Sequence, residues 1–563
     1  MDSTNCGDEK LKFDQACLHF TGANLNSWLY SLSTDCSLYL NFNVIQCPYT
    51  RLARNSGQRI STVKISTVRP IRLRVLDFEF AGDVEPAEYI SAQNSSNVIC
   101  DLSPKLGQYG RYQLSVGNQS CSLDTLIEPT YPFTELFLVW AVVILLLLAC
   151  SAGKLLWAAF TRKYGKSREH NKTPSKTRVR ALDTFRGAST LMMIWVNGGS
   201  GGYAILGHAT WNGMLFSDLI FPCFLWIMGV CIPIGISSRL RRSVPKGVMA
   251  FSIIKRSLLL FLIGLALNTV ALTEQLERIR IFGVLQRFGV TYLVVALAYL
   301  YLIPRKSRNE QSSWRWIHDI IILLPQWCIM IIILIVHNVL TFNLSVPDCP
   351  KGYLGPGGRH DDGKYFNCTG GAAGYIDRVV LGVEHLYQKP SILYVYGSGP
   401  FDPEGVLGCL TSIFQVFLGV QAGVIMMTFK EWRERVLRWL LWAAVYGALG
   451  CALHFPTLIP VNKSLWSLSF VLVTTSFALA FLSACYLLVD VIKIWNGGPF
   501  RIPGMNALVL YIGHILCYKV FPFHWKVGDM ESRAVSMVES VWCVGLWTIV
   551  AYLMHRQRTY ITL

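Results

Sequence analysis

Charged residues are scarce in this sequence. Asp, Glu, Lys and Arg together make up 15% of the 563 residues, whereas 52% are hydrophobic. A disordered chain needs the opposite balance, with few apolar residues and many charges, so disorder is excluded. The composition instead indicates a membrane protein, because long apolar segments of this kind are stable in a lipid bilayer.

Acidic residues are in the minority, and the formal net charge is +17. In a soluble protein this excess would favour nucleic-acid binding. Here the lysines and arginines are concentrated in short loops between apolar segments, where they determine membrane orientation instead. We therefore expect no nucleic acid among the partners.

Two short motifs with strong chemical meaning are absent. The sequence contains no P-loop and no HExxH motif, which removes the phosphate-binding and zinc-protease classes that these motifs identify. No two cysteines have the CxxC spacing that is typical of zinc sites, so we expect no metal.

Cysteines in polar segments come in an even number. Six precede residue 130 and two lie in a later polar loop: Cys6, Cys17, Cys36, Cys47, Cys100, Cys121, Cys349 and Cys368. This pattern is typical of disulfides formed in an oxidising compartment, although the pairing cannot be read from the sequence. Most of the other cysteines lie inside apolar segments, where cysteine acts as a small hydrophobic residue.

Residues 1–134 are predicted to form a small luminal β-rich domain with disulfides. The segments LYLNFNVIQC and TVKISTVRPIRLRVLDFEF alternate in polarity and are rich in β-branched residues, as strands are. Glycosylation acceptors at Asn94 and Asn118 favour a luminal location. The opening residues, MDSTNCGDEKLKFDQ, hold no apolar signal-peptide core. We therefore expect either a signal outside this sequence or export by the first membrane span.

Eleven apolar segments follow, each close to the ~20 residues that cross a bilayer. They lie at residues 135–160, 183–200, 214–237, 254–272, 281–303, 317–340, 404–428, 437–455, 464–489, 503–521 and 537–554. The predicted fold class is an α-helical polytopic membrane protein of about 11 transmembrane helices, with the small luminal β domain at its N-terminus. Residues 135–563 form the transmembrane domain in this scheme.

Basic loops follow the first, third, fifth and seventh segments. If the segments alternate in direction, these loops share one face with the C-terminal tail, and that face is predicted to be cytosolic. The luminal face then carries residues 200–213 and a long loop at 341–403. Sequons at Asn343 and Asn367 in that loop agree, whereas Asn171 in a basic loop is interpreted as a chance match. The length and glycine content of the loop favour a lid over a luminal site.

The strongest candidate site is a polar, glycine-rich break between the second and third spans. It carries Asn197, His208 and Asn212, and Asp218 follows just inside the third span. Ionisable groups at the edge of a span are costly, so they indicate function by default. Asp218 has two interpretations: it fixes the His208 tautomer or holds a cationic substrate, or it caps a helix.

Further ionisable residues lie in or near the spans. Asp183 and Arg186 at the cytosolic mouth are either a surface pair or a contact for a ligand phosphate. Arg278 and Arg280 are unusual as luminal basic residues. Gln286 and Arg287 fall within the fifth span, and a buried arginine needs a carboxylate or a ligand phosphate as partner.

A second group of polar residues could contact a substrate. Tyr375, Asp377, Asp402 and Glu404, in or beside the luminal loop, are candidates for binding hydroxyls or an amine. His514 is a further ionisable group within a span. From the residues alone, an enzyme and a transporter of an amino sugar or anion both fit. A transporter would be favoured by inverted repeats, which the sequence does not show.

Longer segments of the sequence resemble the heparan-α-glucosaminide N-acetyltransferase family. They run in order from about residue 180 to the end and include LDTFRG, GHATWNG, SDLIFPCFLWIMG, GVLQRFGVTY, GKYFNCTGGAAGYIDR and IPVNKSLWSLSF. An O-acyltransferase of another glycan is the alternative, because it shares the Asp-x-x-Arg-Gly motif at Asp183, but the luminal sequons argue against it.

The resemblance implies a lysosomal membrane enzyme. Such an enzyme moves the acetyl group of cytosolic acetyl-CoA to the terminal glucosamine amine of heparan sulfate in the lumen. The active-site histidine of the family corresponds to His208, its partner asparagine to Asn197 and its arginine to Arg280. Membrane lipid is a further expected partner, and a homodimer is left open.

The chemistry of this transfer assigns roles to the candidate residues. His208 either accepts a proton from the attacking amine or carries the acetyl group itself, and Asn197 and glycine amides stabilise the oxyanion. The expected catalytic residues are His208, Asn197 and Asp218. The expected acetyl-CoA contacts are Asp183, Arg186, Arg280, Gln286, Arg287 and His514. The expected sugar contacts are Asn212, Tyr375, Asp377 and Glu404. A tunnel lined by the second, third, fifth and neighbouring spans is predicted to admit the pantetheine arm.

Overall fold

The computed structural model describes most of the chain. It leaves out residues 1–4, 7–8, 23–27, 34–48, 55–60, 77–97, 118–119, 165–178, 273–274, 303–316, 456–457, 529, 531 and 562–563. Several of the predicted features lie outside the described residues. They are Cys36, Cys47, the predicted strand LYLNFNVIQC, the sequons at Asn94, Asn118 and Asn171, most of the basic loop before residue 179 and the basic loop after the fifth segment.

A small sheet domain precedes the helices. The described strands are β1 (Asn5–Cys6), β2 (Glu9–Lys10), β3 (Gln15–Gly22), β4 (Trp28–Ser33), β5 (Tyr49–Arg54), β6 (Ser61–Ser66), β7 (Ile71–Leu76), β8 (Val98–Leu102), β9 (Arg111–Val116) and β10 (Cys121–Ile127). They form a two-stranded ribbon and two four-stranded sheets, ordered β10-β9-β3-β6 and β5-β4-β7-β8. Only the β3–β9 pair among these described strands is parallel.

The two sheets of this domain share one hydrophobic core. Leu18 and Leu114 from one sheet pack in the same cluster as Leu73 and Val75 from the other. This arrangement follows from the alternating pattern of strands, in which every second side chain faces the core. Two disulfides, Cys6–Cys17 and Cys100–Cys121, join strands of the domain and agree with the predicted oxidising environment.

Nine helices in the described residues are long and apolar enough to cross a membrane. They cover Thr134–Gly153, Phe216–Leu240, Lys246–Val270, Val284–Leu302, Leu324–Asn343, Val406–Thr428, Trp432–His454, Leu468–Val491 and Arg533–Arg556. The predicted class, a polytopic helical membrane protein with a small N-terminal sheet domain, is confirmed. Within the described part of the chain, nine helices have the length and apolar character to cross a membrane, compared with the eleven predicted.

Two predicted spans form helices of a different character. Arg180–Asn197 is helical but carries buried polar groups such as Asp183 and Thr184. The segment 503–521 contains only a short helix, Ala507–Leu516. Neighbouring helices surround much of the Arg180–Asn197 helix, so this helix does not need an apolar surface on every side.

The helices of the protein, in chain order, are numbered as follows. They are α1 (Thr134–Tyr164), α2 (Arg180–Asn197), α3 (Ile220–Leu240), α4 (Lys246–Leu272), α5 (Val284–Leu302), α6 (His318–Ile322), α7 (Leu324–Asn343), α8 (Gly371–Leu381), α9 (Ser391–Tyr396), α10 (Val406–Thr428), α11 (Trp432–His454), α12 (Leu468–Tyr486), α13 (Ala507–Leu516) and α14 (Arg533–Arg556).

Helix α10 is the centre of the bundle and is almost entirely buried. It packs against α3 through glycines that let the two backbones come close. A Cβ atom at Gly229 would collide with the carbonyl oxygen of Val416, and one at Gly419 with that of Trp226. Small residues at such contacts are typical of helix packing in membranes, where close van der Waals contact drives association.

The sheet domain, the break after α2 and the long loop before α10 lie at one end of the bundle, here called the sheet-domain side. Asp14 of the sheet domain pairs with Arg533 at the start of α14, and Tyr203 in the break donates to the carbonyl of Pro132 at 2.9 Å. The loop contains the disulfide Cys349–Cys368. These contacts place the sheet domain beside the segment that carries His208.

Candidate active site

The break between α2 and α3 reverses the chain at the sheet-domain side. Three glycines of the break have positive φ angles: 93° at Gly199, 71° at Gly201 and 73° at Gly202. Residues with a Cβ atom rarely adopt this backbone conformation. Short 3-10 turns follow, and the chain re-enters the bundle at Phe216. The glycine content of this segment is therefore a requirement of its tight turns, and the turns bring His208 over the start of α3.

His208 contacts Asp218 and Lys463. Its Nδ1 atom lies 2.7 Å from Asp218 Oδ1 and 2.9 Å from Lys463 Nζ. Lys463 Nζ also lies 3.3 Å from Asp218 Oδ1. The His208 side chain is 47% exposed, whereas that of Asp218 is fully buried. The imidazole therefore has one nitrogen engaged by charged partners and the other, Nε2, available to a ligand.

Asp218 combines both interpretations made from the sequence. Its Oδ2 atom accepts hydrogen bonds from the backbone N–H groups of Ala209 at 3.0 Å and Leu215 at 2.9 Å, while Oδ1 faces His208. A buried carboxylate is costly unless it is paired and hydrogen-bonded, and here both conditions are met. The same side chain thus fixes the backbone of the break and the direction of the imidazole.

Asn197, at the end of α2, lies on the wall of the same cavity as His208. Its Nδ2 atom is 2.9 Å from Nε2 of His514 on α13. An amide nitrogen carries two hydrogens, so one remains for a ligand when the other is donated to His514. His514 thereby orients Asn197, and it is not itself among the residues that line the cavity.

A cavity of about 800 Å³ extends from this site along α3. Every turn from Ser217, just before α3, to Arg239 near its end contributes lining residues, among them Ser217, Phe221, Phe224, Met228, Cys231, Gly235 and Arg239. At 1.5 Å per residue, Ser217 and Arg239 are about 33 Å apart along the axis, close to the ~30 Å hydrocarbon thickness of a bilayer. The cavity therefore has the length of the membrane, with residues of α2, α4, α5 and α13 forming its other walls.

The far end of the cavity is basic and its middle is apolar. Arg186, Arg239 and Arg256 line it away from His208, and Phe224, Met228 and similar side chains lie between. Arg186 donates to the carbonyl oxygen of Gly504 at 3.1 Å, and Arg239 donates to Ser252 Oγ at 3.1 Å. These contacts use only part of the donors of each guanidinium, so further donors are available to an anion.

A cluster of ion pairs forms another part of the wall on the sheet-domain side. Arg280 contacts Asp402 through two hydrogen bonds of 2.6 and 2.9 Å and Glu404 at 2.7 Å, and its guanidinium stacks on Tyr387. Burial by itself would raise the pKa of Glu404, but the charges of Arg280, Arg287 and Lys463 together outweigh burial and hold this pKa below its usual value. Arg287 and Lys463 add further positive charge beside Glu404, so the carboxylates of this cluster are balanced by neighbouring cations.

Several predicted ligand contacts have other partners. Arg287 is fully buried, donates to the carbonyl oxygens of Pro403 and Gly405 and stacks on Trp466. Gln286 donates to the carbonyl of Ile281.

Asn212 has a similar structural contact, because it accepts from Asn462 Nδ2 at 3.0 Å. Among the described residues, Asp183, Asn212, Gln286, Arg287, Tyr375 and Asp377 do not line the large cavity, whereas Asn197, His208, Arg186, Arg280 and Glu404 do. Their assignment to ligand binding stays a prediction.

Sequence reasoning missed four cavity residues. Lys463, Tyr387, Arg239 and Arg256 were given no role, although all four line the cavity. Lys463 had a usable signal: it is a basic residue on the predicted luminal side, the feature that drew attention to Arg280. Arg239 and Arg256 lie in or beside basic loops, where their charge was attributed to membrane orientation alone.

The fold and this site define a multi-pass membrane enzyme of the acyltransferase class. The family model for the catalytic region of heparan-alpha-glucosaminide N-acetyltransferase matches residues 178–343. The heparan-alpha-glucosaminide N-acetyltransferase of Homo sapiens is 37% identical over 515 residues, covering 82% of this chain and 77% of that protein. The Mus musculus protein of the same name is 34% identical over 616 residues, covering 98% and 90%. This chain belongs to the heparan-alpha-glucosaminide N-acetyltransferase family.

Proposed function

We propose that this protein transfers the acetyl group of cytosolic acetyl-CoA to the terminal glucosamine amine of heparan sulfate in the lysosomal lumen. The relatives are named for N-acetyl transfer to heparan-α-glucosaminide. The observation that carries the proposal is the membrane-length cavity, which has the His208–Asp218 pair at one end and Arg186, Arg239 and Arg256 at the other. A polyanionic acyl carrier and an amine that enter from opposite faces can meet in such a cavity.

In this proposal the sheet-domain side is luminal and the basic end of the cavity is cytosolic. Two exposed sequon asparagines, Asn343 and Asn367, lie on the sheet-domain side together with the disulfide Cys349–Cys368, as expected of a glycosylated, oxidising compartment. Residues 1–134 then form the luminal domain and residues 135–563 the transmembrane acetyltransferase domain. The loop at 341–403 lies over the site, where Trp211 donates to the carbonyl of Leu354 at 2.9 Å.

The residues at the basic end fit the co-substrate. Free guanidinium donors of Arg186, Arg239 and Arg256 suit the phosphates of CoA. The apolar wall formed by residues such as Phe224 and Met228 suits a slender pantetheine arm, which has only two amides to satisfy. The acetyl thioester then reaches the level of Asn197 and His208.

Acetyl transfer to an amine requires removal of one proton. The unprotonated amine attacks the thioester carbonyl, a C–N bond forms, the C–S bond breaks, and the amine proton passes to the CoA thiolate. His208 accepts this proton on Nε2, while Asp218 holds Nδ1. The free amide hydrogen of Asn197 stabilises the oxyanion. Glu404 lines the cavity beside Arg280 and accepts a hydrogen bond from the unprotonated amine or a sugar hydroxyl, which positions the sugar.

The same site also permits a covalent route in which His208 Nε2 carries the acetyl group. Rapid mixing of purified enzyme with labelled acetyl-CoA, in the absence of sugar, separates the two routes. Acid-labile label on a His208 peptide that disappears when glucosamine is added supports the covalent route. Label that stays entirely in acetyl-CoA until sugar is present supports direct transfer.

Proteoliposomes test the whole proposal. Enzyme is reconstituted, glucosamine is enclosed, and labelled acetyl-CoA is added outside. N-acetylglucosamine inside the vesicles and free CoA outside are expected from molecules that present the basic end outward. His208→Ala is the matched control. Product formation by His208→Ala at the wild-type rate, or release of glucosamine from the vesicles without formation of free CoA, would contradict the proposal.

A further inference from the structure

Lys463 lies beside the active-site histidine and is held there by the fold. It precedes α12 in a loop whose neighbour, Asn462, is fully buried. The Asn462 side chain accepts from the backbone N–H of Leu465 at 2.8 Å and donates to Asn212 in the break. The Lys463 side chain is 20% exposed and lines the cavity. The contact between Lys463 and His208 is therefore fixed by the hydrogen bond that joins the loop before α12 to the break after α2.

The side chains of His208, Asp218 and Lys463 cannot all form hydrogen bonds with one another at the same time. Nδ1 of His208 has a single position for a hydrogen bond in the ring plane, yet both Asp218 Oδ1 and Lys463 Nζ lie within 3 Å of it. If Nδ1 carries the proton, it donates to Asp218, and Lys463 donates to the same carboxylate at 3.3 Å. If Nδ1 is bare, it accepts from Lys463, and the ring proton is on Nε2.

The two arrangements present different groups to the cavity. With the proton on Nδ1, Nε2 has a free lone pair and can accept the amine proton. With the proton on Nε2, the ring can only donate. Lys463 shares Asp218 with the imidazole and adds a positive charge beside it. The negative charge of Asp218 attracts positive charge toward the imidazole, and the ammonium group of Lys463 offsets part of that negative charge.

We propose that Lys463 is a positioning residue that offsets the charge of Asp218, so that His208 passes the amine proton to the CoA thiolate instead of retaining it. This inference rests on the proposed function, because it requires His208 to be the proton acceptor. During transfer the proton leaves the amine nitrogen, resides on Nε2 and moves to sulfur. Lys463 keeps its own protons and touches neither substrate.

Three variants test the charge of Lys463. Lys463→Met removes the charge and keeps the stem, Lys463→Gln keeps a neutral donor, and Lys463→Arg keeps the charge. Lys389→Met, an exposed lysine on the same side, is the matched control for lost net charge. Thermal unfolding in detergent checks that each protein is folded, and kcat and KM are measured for both substrates.

We expect Lys463→Met and Lys463→Gln to lower kcat by about 10- to 100-fold, within the range of a proton-transfer contribution. The KM values for acetyl-CoA and glucosamine should change less than about threefold. The solvent deuterium isotope effect on kcat should rise, because proton return becomes rate-limiting. Lys463→Arg should recover most of the lost kcat, and Lys389→Met should match the wild type.

Outcomes against the proposal are distinct from those against the function. Wild-type kcat in folded Lys463→Met, with His208→Ala inactive, would overturn the role of Lys463 alone. Equal losses in Lys463→Arg and Lys463→Met, with an unchanged isotope effect, would overturn it as well, because they indicate packing instead of charge. Full activity of His208→Ala would overturn both proposals.

Discussion

Asn197 at the end of α2 and His514 on α13 are 317 residues apart in the chain, yet their side chains are 2.9 Å apart. Nδ1 of His514 faces the carbonyl oxygen of Leu510 at 3.2 Å. The imidazole thus connects the backbone of α13 to the amide of Asn197. This contact assigns His514 an orienting role toward a cavity that it does not line.

Removing the Asn197 amide should affect the chemical step. Asn197→Ala is expected to lower kcat by about 10²–10³, the contribution of one oxyanion donor, with little change in the KM for acetyl-CoA. His514→Ala should lower kcat less, because the Asn197 amide remains but is no longer oriented by the His514 imidazole. Steady-state kinetics on both purified variants check the order. A larger loss in His514→Ala than in Asn197→Ala would contradict it.

Neutralising Asp218 should reduce activity without disturbing the fold. Asp218→Asn keeps an oxygen that can accept from the backbone N–H groups of Ala209 and Leu215 but no longer anchors a protonated Nδ1. We expect kcat to fall by about 10²–10⁴, as for a base held in the wrong tautomer. Activity within threefold of the wild type, in a variant with an unchanged melting temperature, would remove Asp218 from the mechanism.

Arg256 should contribute to binding the acyl carrier. Arg256→Gln is expected to raise the KM for acetyl-CoA about tenfold or more, the range for a hydrogen bond to a charged group, and to leave the KM for glucosamine unchanged. Lys255→Gln is the matched control, because that neighbour is exposed and does not line the cavity. An equal effect of both substitutions would indicate a general charge effect instead of a binding site.

Asp377 should make the stability of the sheet-domain side depend on pH. Burial raises the pKa of its carboxyl group to about 7, although the backbone N–H of Val406 donates to it. Folding raises this pKa, so the contribution of Asp377 to the free energy of unfolding is fully present below the unfolded pKa near 4. That contribution is lost as the pH rises through 7.

Asp377→Asn isolates this contribution. The variant should gain stability relative to the wild type by about 1.4 kcal/mol per pH unit between pH 5 and 7. Paired melting curves at pH 5, 6, 7 and 8 measure the difference, and other titrating groups cancel in the comparison. A constant difference across this range would show that the Asp377 carboxyl does not titrate there.

Gly419 should be intolerant of any side chain. A Cβ atom at this position would meet the carbonyl oxygen of Trp226 on α3, so Gly419→Ala should separate α3 from α10 and lower the melting temperature. Gly545→Ala is the control, because nothing lies within 4 Å of its added Cβ and alanine favours a helix. Detergent melting curves compare the two, and equal values would contradict the close contact.

The sequence determined the class of the protein and pointed to the break that carries its candidate site. Apolar length located a helix for each of the eleven segments, because crossing lipid requires length and low polarity whatever the neighbouring helices are. The glycine-rich break with His208 was found for a similar reason, since polar residues at the edge of a span are costly. Sequence resemblance to a known family added the acyltransferase chemistry.

Tertiary structure alone decided which of the polar residues face one another. Lys463 is 255 residues from His208, and Asp402 is 122 residues from Arg280, so no local pattern could join them. It also decided that Arg287 bonds to backbone carbonyls while Arg280 faces the cavity, although both looked equally unusual in the sequence. Such partners depend on helix rotation and packing, which arise from the combined contacts of the whole bundle.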